Sequence, residues 1–247
     1  MSARPFDKTG LLARALALST LVSVGLYLYA DLFKSGSYYF YLDWNLFLAM
    51  LPLLFASLLV RLLRQQAWSS WPGIGLSVLW LGFLPNSFYM VTDYIHLPEV
   101  GNADLLFYVV LFTSFIATGL FFGFASLVMV HRELRRRLPA PSARRVVGLV
   151  LLLCSFAIYL GRDLRWNTWD VVFNPGGLLF DISERFLNPQ GYGNMIETTL
   201  LFMVLLSSMY FVIWSCVRVM AGPITSVKSA ILENNERQIS AGNRRRS

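Results

Sequence analysis

Apolar stretches of about the 20 residues that a helix needs to cross a bilayer recur along the chain, separated by short polar or proline-containing segments. Six are predicted as membrane helices: about Leu11–Phe33, Trp44–Leu63, the segment from Trp71-Pro72 to Tyr94, Leu105–Val130, Val146–Leu160 and Ile196–Met220. The fifth is short for a span unless Gly161-Arg162-Asp163-Leu164 extends it, and Gly222-Pro223 stops the sixth. The ten-residue alternation of an outer-membrane barrel is missing. The expected fold class is therefore all-α, a polytopic membrane helical bundle with its third helix broken at Pro85. Residues 1–222 form the six-span domain and residues 223–247 a basic cytoplasmic tail. The first apolar run is too long for a signal peptide and lacks a small-x-small cleavage pattern, so it reads as a retained span.

Composition supports this assignment. Of 247 residues, 56% are hydrophobic and only 14% charged, against roughly a quarter charged in soluble domains. The net charge of +7 would suggest nucleic acid in a soluble protein, but threading six spans with the N-terminus inside resolves it by side. Of the 21 Lys+Arg residues, all but Lys34, Arg162, Arg165 and Arg185 fall on the inner face, whereas most acids fall outside. The positive-inside rule then makes both termini cytoplasmic. The basic Arg132–Arg145 loop reads as a contact for anionic lipid at the cytoplasmic face, with no nucleic acid and no protein partner indicated. Cys154 and Cys216 fall in different spans and imply neither a disulfide nor a metal.

Polar residues gather in two places. After Pro85, the residues Asn86, Tyr89, Asp93 and His96 are spaced so that a continuing α-helix would place them within about 80° of one face. Asp93 and His96, one turn apart, suit a general base, a proton relay or a cation ligand pair. Hydrogen bonding between helices is the alternative use of such a stripe. The second cluster runs Gly161-Arg162-Asp163-Leu164-Arg165-Trp166-Asn167-Thr168-Trp169-Asp170. If the fifth helix continues, Arg162, Arg165, Trp166 and Trp169 share one face, with Asp163, Asn167 and Asp170 beside them. Two guanidiniums among indoles suit an anionic head group, or they neutralise Asp93, Asp163 or Asp170 in a closed network. In the fourth span, Gly119, Gly123 and Ser126 form a small-residue face that lets another helix approach. His131 reads as an interfacial residue. Between the two breakers Asn174-Pro175-Gly176-Gly177 and Asn188-Pro189, amphipathic spacing predicts a short interfacial helix able to cover the site.

These motifs resemble a bacterial domain-of-unknown-function family of multi-pass inner-membrane proteins. The resemblance rests on Asn45-Leu46-Phe47-Leu48-Ala49 with Pro52, on Phe83 to Leu97, and on Gly161 to Asp170 running on to Asn174-Pro175. It covers about residues 40–220 and implies a bacterial inner-membrane location without an activity. The chain departs from the family pattern at Ser87-Phe88, where Ala-Pro is usual, and at Asp163, which replaces an apolar residue.

The expected function is binding or transport of a lipid head group or small anion at an extracytoplasmic polar site. Asp93 and His96 are candidate catalytic groups, and Asn86, Tyr89, Arg162, Arg165, Trp166, Asn167, Trp169 and Asp170 candidate binding residues. A membrane-embedded enzyme acting on a lipid-linked substrate and a structural or assembly role are the alternatives. No cofactor is indicated. With two histidines on opposite faces, a three-histidine zinc site is excluded, while a divalent ion on Asp93, His96 and Asp170 stays open.

Overall fold

The computed structural model describes residues 8–34, 39–99, 104–164, 166, 173–187 and 193–221. Its α-helices are α1 (Lys8–Phe33), α2 (Phe40–Leu62), α3 (Trp71–Tyr89), α4 (Leu105–Arg137), α5 (Ala140–Asp163), α6 (Pro175–Leu187) and α7 (Gly193–Ala221). A 3₁₀ segment, Met90–Glu99, continues α3. Six helices are long and apolar enough to cross a membrane: α1, α2, α3 with its 3₁₀ continuation, α4, α5 and α7. All six expected spans are present. The fifth is no longer short, because α5 begins at Ala140 and runs through Asp163. The chain divides into two compact units, Met1–Leu206 and Ser207–Ser247. The expected boundary at residue 222 lies outside the described residues, as does the basic tail.

Within the first unit α4 packs against α1, α2, α3, the 3₁₀ segment and α5. The physical basis is its small-residue face. A Cβ at Gly123 would stand 2.8 Å from both the Phe88 ring and the Ser87 Cβ, and one at Gly119 would run into the Met90 sulfur. The end of α3 and the start of the 3₁₀ segment therefore rest directly on the α4 backbone, as the Gly119–Gly123 spacing predicted. Hydroxyls fix the neighbouring contacts. Thr118 hydrogen-bonds Ser19 at 2.6 Å and Ser23 at 3.1 Å, joining α4 to α1, and the Ser87 hydroxyl donates to the Ala49 carbonyl of α2 at 2.8 Å.

The α2–α3 connection is set by local chemistry. Ser70 caps α3 by accepting from the Gly73 amide at 3.3 Å, and Pro72 occupies the first turn, where its missing N–H costs nothing. Arg137, at the end of α4, holds this connection from the side. It donates to the Leu63 carbonyl at 2.8 Å, pairs with Glu133 at 3.0 Å and lies 5.6 Å over the Trp68 ring. Glu133 is buried, so its charge needs these partners. Arg137→Ala is expected to cost about 1–3 kcal/mol, since it leaves a buried carbonyl without a donor. A thermal melt of the detergent-solubilised protein measures this.

One expectation is corrected here. The helix does not break at Pro85: α3 runs through it to Tyr89, and the change to 3₁₀ geometry comes at Met90. Proline removes only one ladder bond, whereas ending an α-helix inside apolar surroundings would strand several carbonyls. The Asn86 side chain donates to the Phe83 carbonyl at 3.1 Å, and Thr92 donates to the Tyr89 carbonyl at 2.7 Å where the ladder changes. His131 is buried in α4 shortly before its end at Arg137.

Candidate functional site

A cavity of about 450 Å³ lies between α2, α3, the 3₁₀ segment and the end of α5. Each wall is one face of a helix. From α2 come Tyr41, Trp44, Asn45 and Leu48, spaced i, i+3, i+4 and i+7. From α3 come Val78, Leu79, Gly82, Phe83, Pro85, Asn86 and Tyr89. Ala157, Leu160 and Gly161 of α5, then Trp166 and Leu178, complete the lining. The 3₁₀ segment contributes Asp93 and His96.

Their alignment follows from helix type. At three residues per turn, side chains three apart eclipse one another, so Met90, Asp93 and His96 stack on one face instead of drifting as they would in an α-helix. Met90 is fully buried and Asp93 only 3% exposed. A 3₁₀ run of ten residues is well beyond the usual three or four. Asn45 of α2 aims its side-chain amide at both Asp93 oxygens, at 3.4 and 3.5 Å, the long limit of a hydrogen bond. The Tyr41 ring lies 5.1 Å from the His96 ring.

On the α5 side, Gly161 lets α5 approach the Tyr89 ring, where a Cβ would come within 3.2 Å. The helix ends at Asp163, and the Trp166 amide donates back to the Leu160 carbonyl at 3.2 Å. The shared helical face expected for Arg162 and Trp166 is therefore not formed, because the helix stops between them. Trp166 instead turns its indole N–H onto Asp181 of α6 at 2.9 Å. Arg185 of α6 donates to the Tyr159 hydroxyl of α5 at 3.1 Å, and Leu178 reaches the cavity. The predicted short helix is thus α6, capped by Asn174, whose side chain accepts from the Gly177 amide at 3.1 Å. Leu179, Phe180 and Leu187 are exposed along it, as is Phe173 just before it.

The structure brings Asn86, Tyr89, Asp93, His96 and Trp166 around one cavity. Arg162 is exposed beside the lining residue Gly161, within electrostatic reach of Tyr89. Among the described residues it forms no ion pair with Asp93 or Asp163. Arg165, Asn167, Trp169 and Asp170 lie outside the described residues. Of the remaining cations expected on the outer face, Lys34 pairs with Asp104, which holds its ammonium above the usual lysine range, and Arg185 pairs with Asp181 at 3.8 Å. Among the described residues no group of three His, Cys, Asp or Glu side chains is placed to hold a metal ion.

Asn45, Tyr41 and Trp44 were not among the expected site residues. Their i, i+3, i+4 spacing was readable, and Asn45 opens the first motif, but on an apolar helix this pattern reads as packing.

Residues 44–213, which carry every wall of the cavity except Tyr41, match the model of a family described as a protein of unknown function (DUF1361). The chain belongs to this family. This DUF1361 protein is a multi-pass membrane protein by its six spans, in agreement with the resemblance read from its motifs. No match was found among curated proteins or among solved structures.

Proposed function

We propose that the cavity receives the polar head of a membrane lipid while the lipid chain lies along α3. The observation that carries this reading is the division of the cavity. Asn45, Asp93, His96, Tyr89 and Trp166 gather at the end reached by the 3₁₀ segment, whereas Leu48, Val78, Leu79 and Gly82 form an apolar flank. Val78 and Leu79 are 64% and 43% exposed on a helix that crosses the membrane, so this flank borders lipid. From Val78 to Tyr89 the groove follows α3 for roughly 16 Å at 1.5 Å per residue. A soluble small anion needs no such apolar flank, and the lipid head group is the better supported ligand. Arg162, with Arg165, Asn167, Trp169 and Asp170 on sequence grounds, completes the proposed set of contacts. The distribution of basic residues supports cytoplasmic termini and an extracytoplasmic cavity, and the motif resemblance supports a bacterial inner membrane.

Gly82 offers a direct test. A Cβ there meets nothing within 4 Å, so Gly82→Trp should fill the groove without disturbing the fold. Replacing a helix-interior glycine adds up to about 1 kcal/mol of helix propensity. Lipid still bound after detergent exchange, counted by native mass spectrometry, should fall at least severalfold while the melting temperature holds. Unchanged retention would mean the groove is not the lipid site.

One observation favours a second reading, a membrane-embedded enzyme acting on a lipid-linked substrate. Asp93 and His96 are stacked on the 3₁₀ face within electrostatic reach of each other, an arrangement suited to proton abstraction. Turnover of labelled lipid that disappears in His96→Ala, with lipid retention intact, separates enzyme from binder.

A further inference from the structure

We infer that the head group taken by this cavity carries an ammonium, as in an aminophospholipid, and that Asp93 is its counter-charge. This rests on the lipid reading above and names the class of lipid. A carboxylate buried to 3% exposure is costly unless a cation meets it. Among the described lining residues there is no Lys or Arg, and the side chain there that can carry positive charge is the His96 imidazole, within electrostatic reach of Asp93. The protein's own donor to Asp93, the Asn45 amide, stands off at 3.4–3.5 Å, which leaves both carboxylate oxygens capacity for shorter, charge-assisted bonds. Because Asn45 turns its N–H₂ toward Asp93, its carbonyl oxygen is a second acceptor at the same end. A primary ammonium, with three N–H donors, matches two acceptors of this kind.

The rest of the lining agrees. Tyr41, Trp44, Tyr89 and Trp166 supply aromatic rings, whose faces attract cations. Arg162, exposed beside Gly161, is placed for the lipid phosphate of a zwitterionic head. A head group with only negative charge would instead set its phosphate against Asp93, a like-charge contact in low dielectric.

The test uses the full chain in detergent and four lipids of identical acyl chains: phosphatidylethanolamine, phosphatidylcholine, phosphatidylglycerol and a monoglucosyl diacylglycerol. Native mass spectrometry of competing pairs should show phosphatidylethanolamine retained about tenfold or more over phosphatidylglycerol, the scale of one charge-assisted hydrogen bond. Asp93→Asn, whose amide keeps the shape, should abolish that preference. Phosphatidylcholine, a cation without N–H donors, should fall between them. Equal or stronger retention of phosphatidylglycerol or of the glucolipid by the unmodified protein overturns the ammonium assignment, whether or not the variant folds. If that retention is still lost in Gly82→Trp, the lipid reading survives. If no lipid responds to Gly82→Trp, the lipid reading itself fails.

Discussion

Gly123→Val is expected to be the most destabilising single substitution in the first unit, costing about 3 kcal/mol or more. Even the first added carbon would stand 2.8 Å from the Phe88 ring and 2.8 Å from the Ser87 Cβ. Neither neighbour can retreat. Both are fully buried, the Phe88 ring lies 5.0 Å from Phe124, and Ser87 is tied to the Ala49 carbonyl at 2.8 Å. Relief requires α3 to move off α4, which shifts the base of the 3₁₀ segment and so the position of Asp93. The variant should therefore lose lipid retention along with stability. Gly148→Ala is the control, because a Cβ there meets nothing within 4 Å; it should leave the melting temperature level or raise it slightly. A melt of Gly123→Val within about 0.5 kcal/mol of the unmodified protein, the range of neutral surface changes, would show that the α3–α4 contact is looser than described.

Asp93→Leu should have the largest functional effect, and its effect on stability should run the other way. A buried carboxylate without a close cationic partner carries a desolvation cost that an apolar side chain of similar size does not. Among the described residues its hydrogen bonds are two long contacts from Asn45, with the His96 imidazole within electrostatic reach, so little protein hydrogen bonding is lost with it. A melting temperature that holds or rises, together with loss of head-group discrimination, is the outcome expected of a functional carboxylate kept at some cost in stability. A structural carboxylate gives the opposite result. Its removal would unfold the protein, and Asn45→Leu would do the same. Melting curves and lipid retention measured on the same preparations distinguish the two.

Much of the architecture was legible in the chain. Hydrophobic length alone located the six spans, since a bilayer of fixed thickness imposes one length on any helix crossing it. The small-residue face of Gly119 and Gly123 was equally readable, because no side chain other than hydrogen allows backbones so close. Asn174-Pro175 marked the start of α6, where a side-chain acceptor precedes a residue that needs no donor. Asp93 and His96 stood out because ionisable groups in a span are costly and need a reason to be there.

The less legible features depend on contacts between segments. Pro85 was expected to break α3, but continuity of the ladder outweighed the loss of one bond, and the conformational change moved to Met90. Nothing in Met90-Val91-Thr92-Asp93 dictates three residues per turn, yet that geometry aligns Asp93 with His96. The sequence by itself determined what cannot lie against lipid: which stretches are long enough to span, and which polar residues need partners. Only the tertiary structure decided who those partners are. Asn45 is 48 residues from Asp93 in the chain, and it faces Asp93 because α2 packs against α3 and α4, which themselves meet closely at Gly119 and Gly123. Apolar periodicity says which face of a helix is buried, and packing alone says what that face is buried against.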